Sequence, residues 1–77
     1  MRIEGYMKIQ PNGRYRLFGE EGSCELTCGD CLEVRIEDSW VTMRLEHDGE
    51  RYYLLNDGLS FYPKRVYARL NDNVTRF

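Results

Sequence analysis

Three cysteines fall within eight residues, Cys24, Cys28 and Cys31 in the run CELTCGDC, and the chain holds no other. Thiolates at this spacing suit a soft divalent metal or thiol–disulfide chemistry. With His47, the single histidine, they form a set of three sulfurs and one imidazole, the donors of a tetrahedral zinc site. Such a zinc is structural, because four protein ligands leave no open position for chemistry. Two other readings stand beside it. The thiols can be small apolar groups, two buried and one exposed. Alternatively, Cys28 and Cys31 can be a redox pair, although no βαβ pattern surrounds them. An odd count does not suit a disulfide scaffold, and MRIEGYMKIQ has no signal-like apolar run. The expected setting is therefore a reducing cytoplasm, with no membrane span. The lone histidine has no partnered serine, and neither a glycine-rich phosphate loop nor a paired-carboxylate motif is present. The expectation is a protein that is not an enzyme.

Charge is unevenly placed along the chain. The net charge is -2, made of +3 over residues 1–19, -8 over residues 20–50 and +3 over residues 51–77. The acidic middle, with Glu20, Glu21 and Glu25 at its start, would repel phosphates and attract a basic protein surface. Its plainer reading is a solvated face. Trp40, the only tryptophan, can anchor a partner together with Tyr53 and Tyr67, since aromatic and arginine clusters make binding hot spots. It can equally complete a second small core under the N-terminal strand. A nucleic-acid face needs cations interleaved with stacking rings. Arg14, Tyr15, Arg16, Arg65 and Arg69, with Tyr67, supply one if the first and last barrel strands pair. A pI near 5.3 weighs against it.

The elements that must position these residues are strands. Seventy-seven residues make one domain, and a chain this short buries only ~60% of its unfolded surface. A metal or a second subunit would help such a small core. Turn signals recur every eight to twelve residues, at Pro11-Asn12-Gly13, Glu20–Ser23, Gly29-Asp30, Asp38-Ser39, His47–Glu50 and Asn56–Gly58. Between them apolar residues alternate. Leu32, Val34 and Ile36 oppose Glu33, Arg35 and Glu37, and Val41, Met43 and Leu45 oppose Trp40, Thr42 and Arg44. Val66, Ala68 and Leu70 alternate with Tyr67 and Arg69. The expected core is these inward residues with Ile3, Leu17, Leu26 and Leu54. The domain is expected over residues 1–70, with 71–77 a frayed tail.

This order of elements resembles a Src-homology-3-like barrel over residues 14–70. Tyr15–Phe18 resembles its first strand, and Gly19–Glu25 the acidic loop after it. Glu25-Leu26-Thr27 and Gly29-Asp30 resemble its diverging turn, and Trp40 its groove tryptophan. Pro63 and Tyr67 match its closing turn and last strand. The resemblance implies an all-β, SH3-like barrel of five to six antiparallel strands, with residues 1–10 an extra N-terminal strand outside it. The chain also resembles a family of short, uncharacterised proteins of Firmicutes and their mobile elements. That likeness rests on Gly13-Arg14-Tyr15, Leu26–Val34, Trp40, Arg44-Leu45-Glu46 and Tyr53-Leu54. It implies a bacterial, phage or plasmid setting. On this basis the expectation is a protein-binding module that inhibits a host defence nuclease, as anti-CRISPR proteins do. It would dock an acidic surface on a basic partner. The alternative is a nucleic-acid-binding accessory protein using the arginine–tyrosine face.

Overall fold

The computed structural model describes residues 2–71. The chain there is all strand and turn, without helix. Eight strands follow one another: β1 Arg2–Ile9, β2 Tyr15–Gly19, β3 Ser23–Glu25, β4 Cys31–Ile36, β5 Ser39–His47, β6 Tyr52–Asn56, β7 Leu59–Phe61 and β8 Val66–Asn71. They form one antiparallel sheet in the order β3-β2-β1-β8-β4-β5-β6-β7. No helix among these residues is long and apolar enough to cross a membrane. Of the tail expected from residue 71, only Asn71 lies within the described residues, as the end of β8.

A single sheet with no helix to cover it can make a core only by curling over itself. Eight strands ~4.8 Å apart would span more than ~33 Å if flat, yet the domain measures 31 × 29 × 25 Å. The flanks meet. Tyr15 on β2 and Tyr52 on β6 are separated by four strands in the ladder, but their rings are 6.5 Å apart and perpendicular. The Tyr15 hydroxyl donates to the carbonyl of Pro63 at 2.7 Å. The ladder itself stays open, with β3 and β7 as its edges.

The inward faces supply the core: Met7, Tyr15, Leu17, Leu26, Leu32, Val34, Met43, Leu45, Leu54, Val66, Ala68 and Leu70. Ile3, Ile36 and Val41 pack against it. Curling needs a close approach, and Gly5 provides it. A Cβ there would stand 1.7 Å from the carbonyl oxygen of Phe18 on the neighbouring strand. The N-terminal strand is therefore no addition outside the sheet. β1 sits between β2 and β8, pairing Tyr6 with both Phe18 and Tyr67. The first and last strands of the expected barrel, β2 and β8, consequently do not pair with each other.

Candidate functional site

The cysteine run folds into the bridge that joins the two flanks. The Leu26 N–H donates to the Tyr15 carbonyl on β2, and the Gly29 N–H to the Leu45 carbonyl on β5. Asp30 is buried, and its carboxylate accepts from the Thr27 N–H at 2.9 Å. Its own carbonyl accepts from the Leu45 N–H. Gly29 has φ +96, which glycine adopts at little cost. Thr27, Gly29 and Asp30 thus build a turn, and the cysteines stand around it.

The donors of the expected zinc site are not brought together. Cys24 pairs with Leu17 and packs on the core face. Cys31 pairs with Arg44 on β5 and alternates with buried Leu32, so it lies on the opposite face. Cys28 is exposed, and its thiol donates to Glu46 at 2.9 Å. That hydrogen bond raises the Cys28 pKa above the ordinary thiol range. His47 accepts the Gly49 N–H on Nδ1 and packs edge-on against Tyr52. No three His, Cys, Asp or Glu residues among those described form a group able to hold a metal. Thiols split across two faces of a sheet do not fit a zinc ion that needs its ligands ~2.3 Å away.

What the sheet does assemble is on its outer face. Strand alternation sends Tyr6 and Lys8 of β1, Arg16 and Phe18 of β2, Tyr67 and Arg69 of β8, Glu33 and Arg35 of β4, and Trp40 of β5 away from the core. Cross-strand pairing then aligns the rings. Phe18 pairs with Tyr6, Tyr6 with Tyr67, and Arg35 with Trp40. Tyr6 and Tyr67 meet edge-to-face at 5.1 Å, and Tyr67 and Trp40 lie 6.1 Å apart. Cations cover this row. Arg69 stands 3.9 Å and Arg35 5.6 Å from the Trp40 ring centre, Arg65 4.8 Å from Tyr6, and Lys8 5.7 Å from Phe18. Phe18 and Tyr6 remain more than a third exposed.

Two carboxylates fix the row. Glu33 holds Arg69 at 2.8 Å, which lays the guanidinium over Trp40. Glu4 accepts from the Tyr67 hydroxyl at 2.8 Å and raises its pKa. The face is graded along the strands: Glu4, Arg69 and Glu33 lie level on one side of the rings, Lys8, Arg16 and Arg65 on the other.

The expected site residues divide accordingly. Trp40 and Tyr67 are together, with Arg65, Arg69 and Arg16 on the same face. Glu20 and Glu21 line a cleft of about 310 Å³ with Arg2, Glu4 and Tyr67. Glu25 lies on edge strand β3 and accepts from Asn12, and Arg14 is exposed in the β1–β2 connection. Tyr53 packs against Tyr62 at 6.3 Å, whose hydroxyl donates to Asp48. Tyr15 is not on any surface; it is core, and burial raises its pKa. Tyr6, Lys8, Phe18 and Arg35 complete the face and were not among the expected site residues. Tyr6 and Lys8 flank inward Met7, an alternation that reveals them once β1 is placed inside the sheet.

The described residues thus define a small all-β domain, one curled antiparallel sheet with an aromatic and cationic outer face. A family model described as a domain of unknown function, DUF5348, matches residues 5–68, and the chain belongs to that family. The match runs from Gly5, where β1 approaches β2, to Ala68 in the centre of β8. No curated protein and no solved structure matches the chain.

Proposed function

We propose that this protein is a non-enzymatic recognition module that binds an anionic macromolecule through the outer face of β1, β2, β4, β5 and β8. One observation carries the reading: Trp40, Tyr67, Tyr6 and Phe18 form a continuous row with a cation against Phe18, Tyr6 and Trp40. Rings and arginines on one face are the composition of binding hot spots. A non-catalytic role is supported by the Cys28 thiol, which donates to Glu46, and by His47 Nδ1, which accepts from the Gly49 N–H. The proposal includes an SH3-like relationship. It is supported by the meander from β4 to β6 and by the bridge from Leu26 to Asp30 between the flanks.

An inhibitor that docks an acidic surface on a basic nuclease would need a contiguous acidic face. Four of the ten carboxylates of residues 20–50 are instead taken up within the domain. Asp30 is buried, Glu33 holds Arg69, Glu46 holds Arg44, and Asp48 folds back on its own loop. The geometry therefore favours the cationic face over the acidic one. Retention on immobilised heparin, a generic polyanion, separates the two. Arg35→Glu with Arg65→Glu should elute at markedly lower salt than wild type, and Glu20→Lys with Glu21→Lys at higher salt. Unchanged elution of the arginine double variant would remove the outer face as the binding surface.

A further inference from the structure

The outer face has a feature that a generic polyanion does not use, the row of rings itself. Resting on the reading above, we infer that the ligand of this face is single-stranded nucleic acid. Bases stack on aromatic rings and on guanidinium planes, whichever base is present, while cations track the phosphates. Both components are present and ordered relative to one another. Tyr6, Tyr67 and Trp40 run across the strands, at spacings of 5.1 Å and 6.1 Å. Arg69 is held 3.9 Å over the Trp40 ring by Glu33, so it offers a fixed cation rather than a mobile one. Lys8 pairs with Arg16 along one side of the rings, and Arg65 precedes the Val66 that pairs with Met7. This row lies where phosphates would run.

The grading of the face argues against an acidic protein as the ligand. Such a partner spreads its carboxylates over the whole contact, whereas Lys8, Arg16 and Arg65 are gathered on one side of the rings and Arg69 is already taken by Glu33. A nucleic-acid strand keeps its charge on one side and turns neutral bases to the other. A duplex is disfavoured because its base faces are already stacked, and no described helix or projecting ribbon enters a groove. From β2 to β5 the row crosses four strand spacings, about 19 Å. That suits a short site of roughly four nucleotides, the low end for small β domains.

Fluorescein-labelled dT12 and U12, a 12-base-pair DNA duplex, heparin and a polyglutamate peptide are titrated with the full chain at 50 mM salt. Anisotropy is read for the labelled strands and duplex, and competition with dT12 for heparin and polyglutamate. Emission of Trp40, the only tryptophan, reports a base settling on the Arg69–Trp40 pair. The expected result is at least 10-fold tighter binding of dT12 or U12 than of the duplex, with Trp40 quenched. Trp40→Ala and Tyr6→Ala should each weaken binding 10- to 100-fold. Tyr6 is the more exposed ring, so Tyr6→Ala keeps the test valid if Trp40→Ala unfolds. Arg65→Glu should also flatten the salt dependence. Equal binding of duplex or heparin, without a ring dependence, would overturn this inference while leaving the polyanion-binding reading in place. Preferential binding of polyglutamate would overturn it in favour of a protein partner. No binding of any probe would overturn both.

Discussion

Gly5→Ala should be among the most damaging single substitutions in this protein. The added methyl carbon would sit 1.7 Å from the Phe18 carbonyl oxygen, 2.7 Å from its carbon and 3.2 Å from the Gly19 Cα. All three are backbone atoms, so no side-chain rotation relieves the contact. Ordinary contact requires ~3.5 Å, and β1 and β2 would have to separate by well over an ångström at that pair. The flanking ladder hydrogen bonds contribute about 1 kcal/mol each, and overpacking adds about 1–3 kcal/mol. A loss of roughly 3–5 kcal/mol follows, against a total of roughly 4–12 kcal/mol for a chain of this length. Urea unfolding followed by Trp40 fluorescence should show a midpoint lowered by ~2 M or more, taking an m-value of ~1–2 kcal/mol/M. Gly58→Ala is the control, because a Cβ there meets nothing within 4 Å. Its midpoint should stay or rise slightly. A Gly5→Ala midpoint within 0.3 M of wild type would refute the account of how the sheet curls.

Three further outcomes follow from single positions. Glu37 begins the β4–β5 turn at φ 55, a region that disfavours side chains. Glu37→Gly should therefore stabilise by about 0.5–1 kcal/mol and raise Tm by roughly 3–6 °C; an unchanged or lower Tm contradicts this. Tyr15→Phe leaves the Pro63 carbonyl without its hydroxyl donor and should cost ~1–3 kcal/mol in urea melts, so a neutral effect would mean that this flank-to-flank contact does not hold the curl. Cys28 has a raised pKa through its hydrogen bond to Glu46, which keeps the thiol protonated and unreactive at neutral pH. Glu46→Gln removes that negative charge and lowers the pKa, so alkylation of Cys28 at pH 7.5, followed by peptide mass spectrometry, should speed up; slower alkylation would reverse the assignment.

The strands were legible because alternation and turn chemistry agree along most of the chain. Leu32, Val34 and Ile36 against Glu33 and Arg35 admit one inward face, and Pro11-Asn12-Gly13 marks a hairpin that the structure shows between β1 and β2. Strand order was not legible in the same way, since alternation says nothing about neighbours. β1 reads locally as an extra strand. Its central place depends on Gly5 meeting Phe18 across β1 and β2, a contact between residues thirteen positions apart. That misplacement hid Tyr6 and Lys8 from the candidate face. It also left Tyr15 on a surface, because a tyrosine next to two arginines looks exposed until a distant carbonyl, that of Pro63, is seen to take its hydroxyl. The cysteine run is read differently in sequence and in structure. Thr27, Gly29 and Asp30 in that stretch are turn residues with their own structural roles, whereas the thiols among and beside them carry the chemical reading.

Recognition through the outer sheet face can be mapped on the protein itself. Amide and indole chemical shifts of ¹⁵N-labelled protein are followed as dT12 is added at low salt. The Trp40 indole N–H and the amides of Tyr6, Lys8, Arg35, Tyr67 and Arg69 should move together and saturate at one strand per protein. Shifts confined to the β2–β3 turn around Glu20 and Glu21 or to the loop from Asp48 to Arg51, with the Trp40 indole unmoved, would contradict it.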